Sequence, residues 1–188
     1  MSFGLANHEK DIEDAVKEAY SKGILLFAAA SNEGGNSPVT YPARYDDVIC
    51  IFSTDGWGNA SKCNPNPMGN SLYRFATLGE AVKSAWPIHL PDSQGERRMT
   101  GTSFATPIAA AVAACVLEFC LMNGMSDEQY QELKCPKGMR EVFCKTLIKE
   151  REGLHYICPW NLFNTSRKDD FIFAFIKDVL NDLNRPSK

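Results

Sequence analysis

A chain of 188 residues, 44% hydrophobic and 23% charged, suits one globular domain and can bury a sizeable core. Its formal charge of −3, with no Lys/Arg cluster, excludes the electrostatic footprint of a nucleic-acid binder. Seven cysteines form no Cys-x-x-Cys pair, and their odd number argues against a disulfide framework. Cys158, His155 and a third cysteine fit no known zinc spacing. The sequence from Met1 has neither a basic start nor an apolar signal core, so a reducing, cytoplasmic setting is expected. The sequons at Asn59 and Asn164 then have no glycosylating context.

Met1 to Leu5 is too short for a whole strand and reads as the exit of one. Asn7 can cap a helix, with Glu9 and Asp11 in its first turn, where the dipole favours acid. Ile12, Ala15, Val16 and Ala19 recur at helical spacing, and Gly23 stops the helix. Ile24 to Ala30 is a continuous apolar run, which predicts a parallel strand buried on both faces. Together these segments form a βαβ unit whose first strand is cut short.

Ser31 to Ser37 is polar and glycine-bearing: a loop at the carboxyl end of a parallel strand, where open α/β sheets bind ligands. Asn32 there serves either turn geometry or an amide aimed at a developing anion. Val48 to Phe52 predicts another strand. Residues 55 to 71, with Gly56, Gly58, Pro65, Pro67 and Gly69, read as a surface loop. The segment 88–99 is polar, with Asp92 among its charges, and its His89 reads as a solvated surface group.

Thr102 to Met122 predicts a long helix, apolar on nearly every side, with Glu118 its only charge. Such a helix is either a core helix or a membrane span, and six alanines from Ala105 to Ala114 favour close packing in a core. Pro107 falls near the first turn, where a missing N–H costs little. Ser126-Asp127-Glu128 opens a short helical segment, and Glu141 to Ile148 gives another. Leu154 to Ile157 reads as a strand. Asp169 to Leu183 is an amphipathic helix with Phe171, Phe175, Ile176, Val179 and Leu183 on one side, either packed or docking a partner. Asn184 to Lys188 is expected to fray.

The stretch Gly101-Thr102-Ser103-Phe104-Ala105-Thr106-Pro107 organises the rest. A small-residue turn delivers a serine to the start of the long helix, where unpaired N–H groups and the positive dipole end favour an anion. By residue types this is a nucleophile seat or an ordinary N-cap. The stretch resembles the Gly-Thr-Ser-Met-Ala-Xaa-Pro motif around the nucleophile of subtilisin-like serine proteases. Ala28-Ala29-Ala30-Ser31-Asn32-Glu33-Gly34 is similar to that family's Ala-Ala-Gly-Asn-Glu-Gly segment. Tyr41-Pro42-Ala43-Arg44-Tyr45, with Val48-Ile49, resembles the Tyr-Pro-Ala turn and strand that follow there. Met1-Ser2-Phe3-Gly4 is similar to the Met-Ser-Leu-Gly strand of the substrate cleft. Tyr73 to Gly79 resembles the strand leading to Ala-Pro-Gly, with Leu78 in place of the proline, and Val82 with Ser84-Ala85-Trp86 fits the next short strand.

The resemblance implies an α/β, three-layer, parallel-sheet fold. Residues 1–151 would be the C-terminal part of an N-terminally truncated catalytic domain, and residues 152–188 a short helical extension. It makes Ser103 the nucleophile of an acyl-enzyme and Asn32 the oxyanion donor, with the Ser103 N–H. Ser2, Phe3 and Gly4 would pair with a protein or peptide substrate, and Ala30 and Ser31 would border the pocket for its side chain. No metal is expected; many relatives bind calcium, but no acidic cluster marks a site here.

The family's triad aspartate and its His-Gly-Thr segment would align upstream of Met1, and none of His8, His89 and His155 lies in such a context. The chain alone is therefore expected to be inactive, with the rest of the domain as a partner covering an open sheet edge. The alternative is a catalytically silent peptide-binding or scaffolding module derived from such a protease. A membrane protein built on residues 108–122 leaves the Asn32 segment unexplained.

Overall fold

Two apolar runs build the centre of the sheet. A computed structural model describes residues 1–66, 73–90 and 95–185; Pro67, Gly69 and Asp92 of the expected loops and residues 186–188 of the tail lie outside the described residues. β1 (Leu26–Ala29) pairs in parallel with β2 (Val48–Thr54), Leu26 opposite Val48 and Ala29 opposite Ile51. β3 (Phe75–Leu78) continues the sheet in parallel, Phe52 opposite Ala76. β4 (Val82–Ala85) and β5 (Glu96–Met99) form a separate antiparallel pair. β6 (Ile148–Arg151) and β7 (Leu154–Ile157) complete the main sheet in the order β1-β2-β3-β7-β6, with only β6 antiparallel.

Alternation along the strands splits the core in two. Phe27, Ile49, Ile51 and Phe75 face one side, and Ala28, Val48, Phe52 and Ala76 the other. The first side is covered by α2 (Thr102–Met122), α3 (Asp127–Leu133), α4 (Pro136–Val142) and α5 (Asp169–Leu183), which share that cluster. The second takes Val16 of α1 (Lys10–Ser21) together with Val39 and Ala43 of the loop before β2. The result is the expected three-layer α/β arrangement.

α2 has the expected bounds but not all-round burial. Thr102, Ala105, Thr106, Ala109, Ala113, Val116 and Cys120 are buried along one stripe facing β1, β2 and β3, while Leu121 and Met122 are exposed. Its 21 residues, with an 18-residue window of mean hydropathy 2.0, are long and apolar enough to cross a membrane by length and composition alone. Here the small side chains of the stripe seat the helix on the sheet. α1 starts at Lys10 rather than beside Asn7; Glu9 stands at the cap position without a side-chain bond, and His8 reaches Glu13 at 2.8 Å instead.

β5 was not visible in the polar segment 88–99, because Glu-Arg-Arg-Met shows no apolar alternation. It forms by pairing with β4, aided by the Lys83–Glu96 ion pair and by Arg97 lying 4.8 Å over the Trp86 ring. α4 begins earlier than residue 141, because Cys135 Sγ accepts from the Gly138 N–H at 3.4 Å and Pro136 occupies the first turn. A π-helical turn, Phe143–Leu147, then feeds β6. β7 lies beyond residue 151 yet hydrogen-bonds to β3, and α5 packs on α3 and α4.

Candidate active site

The carboxyl ends of β1 and β3 and the start of α2 meet at one place. Gly79, just past β3, accepts from the Gly101 N–H at 2.9 Å, which sets the turn before Ser103. A Cβ on Gly79 would lie 2.8 Å from the Gly101 carbonyl and 2.3 Å from Ser53 Oγ, so no side chain fits. Gly101 has φ +152°, where side chains are strained, and a Cβ there would lie 3.0 Å from Asn32 Nδ2. The chain thus brings the Asn32 amide and the Ser103 turn into contact through a glycine.

Asn32 is oriented from α2. The Thr102 N–H donates to Asn32 Oδ1 at 2.8 Å, and the Thr102 hydroxyl lies 3.1 Å from the same oxygen and 3.2 Å from the Ser31 carbonyl. With Oδ1 occupied by donors, Nδ2 is the end of the amide left to donate outward. Thr102 is buried and Asn32 exposed, so the anchor is dry and the free donor faces the open site. Ser31, which carries this loop, has φ +153°, a rare backbone state of the kind found at functional sites. Sequence reading offered Thr102 only as part of the motif and as a helix cap, not as a residue of the site, although its place between Gly101 and Ser103 was the signal.

Ser103 is half-buried in the first turn of α2, so its N–H has no intrahelical acceptor. Its hydroxyl donates to the Ser2 carbonyl at 3.1 Å, and the Ser2 hydroxyl donates back to the Ser103 carbonyl at 2.9 Å. Ser2, Phe3 and Gly4 are exposed. A Cβ on Gly4 would sit 2.0 Å from Thr40 Oγ1, and Thr40 bonds the buried Ala30 carbonyl through its N–H at 2.9 Å and its hydroxyl at 3.1 Å. The site residues named from sequence, Ser2, Gly4, Ala30, Ser31, Asn32 and Ser103, are therefore linked in one network, with Phe3 between Ser2 and Gly4.

The histidines lie elsewhere. His8 bonds Glu13 and packs edge-on against Tyr41 and Tyr45. His155 Nδ1 accepts from the Arg74 N–H at 3.2 Å, and His89 is exposed after β4. Among the described residues none of the three bonds Ser103, and no cluster of His, Cys, Asp or Glu could hold a metal ion.

The Subtilase family model matches residues 1–154, and the chain belongs to the subtilase family. Minor extracellular protease Epr of Bacillus subtilis (strain 168) is 36% identical over 118 residues, covering 61% of this chain and 16% of that protein. Subtilisin DY of Bacillus licheniformis is 33% identical over 120 residues, covering 62% of this chain and 41% of that one. The chain thus spans less than half the length of these curated relatives. Among solved structures, the patellamide maturation protease PatA superposes with TM-score 0.65 at 21% identity, over 95% of this chain and 62% of that one. The prenylagaramide maturation protease PagA gives 0.66 at 20% identity, over 86% and 58%. The fold is the one those proteases share.

Proposed function

We propose that this chain supplies the nucleophile and oxyanion site of a serine-type endopeptidase. Ser103 Oγ attacks the scissile carbonyl of a peptide laid along Ser2, Phe3 and Gly4, and an acyl-enzyme forms as the amine leaves. The carbonyl oxygen becomes an oxyanion, met by Asn32 Nδ2 and the Ser103 N–H. The observation that carries this reading is the double anchoring of Asn32 Oδ1 by Thr102, which leaves the Nδ2 donor fixed beforehand.

Attack also requires a base for the serine proton. The Ser2 carbonyl, the partner of Ser103 Oγ here, has no useful basicity. The base and its orienting carboxylate are proposed to be a His–Asp pair outside these 188 residues. Without them catalysis falls by orders of magnitude, to roughly 10³ over water. A second reading, a silent peptide-binding module, is favoured by that same bond, because it occupies the hydroxyl with an acceptor that cannot activate it.

A fluorophosphonate probe separates the two. Joined to a segment carrying the histidine and aspartate, the chain is expected to label at Ser103, and Ser103→Ala to abolish labelling. No labelling in the joined, folded protein, with peptide binding retained, establishes the silent module instead.

A further inference from the structure

A cavity of about 410 Å³ opens beside the first residues of β2 and β3, at the opposite end of the strands from Ser103 and Asn32. That volume is in the range of small-molecule sites. Its floor is apolar: Val48, Cys50 and Phe52 alternate along β2 on one face of the sheet, and Phe75 of β3, whose side chain faces the other, also lines it. Its polar lining includes three guanidiniums, Arg44, Arg74 and Arg140, against one carboxylate, Asp46.

The three cations come from separate parts of the chain: the loop before β2, the approach to β3, and α4. Among the described residues none of them pairs with a carboxylate. Arg140 donates to the Asp46 carbonyl at 2.7 Å and the Val48 carbonyl at 2.9 Å, and its guanidinium lies 5.9 Å over the Tyr73 ring. Burial pushes its guanidinium below the ordinary value, the mark of a cation partly stripped of water. Arg44 lies 4.8 Å over the Tyr41 ring. An arginine offers five N–H donors, and two carbonyls engage only part of Arg140's fork. A partly dry cation that feels Asp46 and Asp47 but has no carboxylate within ion-pair distance among the described residues, next to an apolar floor, is a matched pair of surfaces for an anion with an apolar body.

We propose that this cavity binds a small amphipathic monocarboxylate, its carboxylate in the fork of Arg140 with Arg74 and Arg44 and its apolar body over Val48 and Phe52. A phosphate dianion fits less well, because the Asp46 carboxylate shares the lining and repels a doubled charge. The assignment is independent of the reading of Ser103.

The test is calorimetric titration of the full chain with 3-phenylpropionate, against 3-phenylpropionamide and inorganic phosphate as controls. Saturable one-to-one binding of the carboxylate is expected, with the amide and phosphate each weaker by about tenfold or more. Arg74→Met and Arg44→Met, which remove no side-chain hydrogen bond, are each expected to weaken the carboxylate about tenfold and leave the amide unchanged. Equal affinity for acid and amide, no saturable binding, or indifference to both substitutions overturns the proposal. Arg140→Met is read only alongside these two, since it also releases the Asp46 and Val48 carbonyls.

Discussion

At Gly101 a missing side chain does structural work on a neighbour. Its φ of +152° and the 3.0 Å from a built Cβ to Asn32 Nδ2 act together, so Gly101→Ala must bend the turn and push the amide away. That substitution is expected to lower unfolding stability by more than about 1 kcal/mol in a denaturant titration. It should also reduce any acylation of Ser103 more than it reduces stability. Unchanged stability would mean that the turn relaxes without strain. This contact was half legible: Gly101, Ser103 and Asn32 were all visible from their motifs. Thr102 stood in the same motif, but only as a helix cap, because a residue that orients a donor through its own N–H and hydroxyl leaves no pattern that announces that role. Neither did sequence show that the Ser2 hydroxyl and carbonyl both engage Ser103, a match made only by folding residues 101 positions apart together.

Elements were legible where periodicity or continuous burial sets them. The long helix and the terminal helix have the bounds that apolar spacing predicts; β1 falls inside its apolar run, and β2 starts with its run but continues past Phe52 to Thr54. β5 and β6 were missed for one physical reason: neither Glu-Arg-Arg-Met nor Ile-Lys-Glu-Arg has a buried residue, so their pairing, not burial, makes them strands. α2 carries the next prediction. Its alanine stripe sets the distance between helix and sheet, and Ala109 is fully buried there whereas Ala111 is exposed. Ala109→Leu forces larger atoms into filled space and is expected to cost about 1–3 kcal/mol. Ala111→Leu, on the open face, should stay within about 0.5 kcal/mol. Equal costs at the two positions, measured in urea, would show that α2 does not pack as described.

Across the whole molecule, buried and half-buried neutral acids set the behaviour in alkali. Burial pushes the thiols of Cys50, Cys120 and Cys144 up to about 12 from an ordinary 9, and burial with the Glu141 hydrogen bond pushes the Tyr73 hydroxyl up to about 12 from 10. All four hold their protons more tightly when folded. Their contribution is complete below pH 9 for the thiols and below pH 10 for the tyrosine. It is lost as pH rises toward 12, because the unfolded chain deprotonates first. The urea midpoint is therefore expected to fall from about pH 9 upward, and less steeply in Cys50→Ala. A midpoint flat to pH 11 would contradict the burial of these groups.

The place of β7 in the sheet governs the order of events as the chain is made. It sits between β3 and β6 and matches Phe75 with His155, strands separated by α2, α3 and α4. Contacts so distant in sequence are slow to close, since a long loop must be ordered before any pairing rewards it. During synthesis, β1, β2 and β3 emerge before β7, and β3 then presents a bare edge until the ribosome has passed residue 157. The nascent chain is most exposed to mispairing in that interval, and it is there that a chaperone would have something to hold.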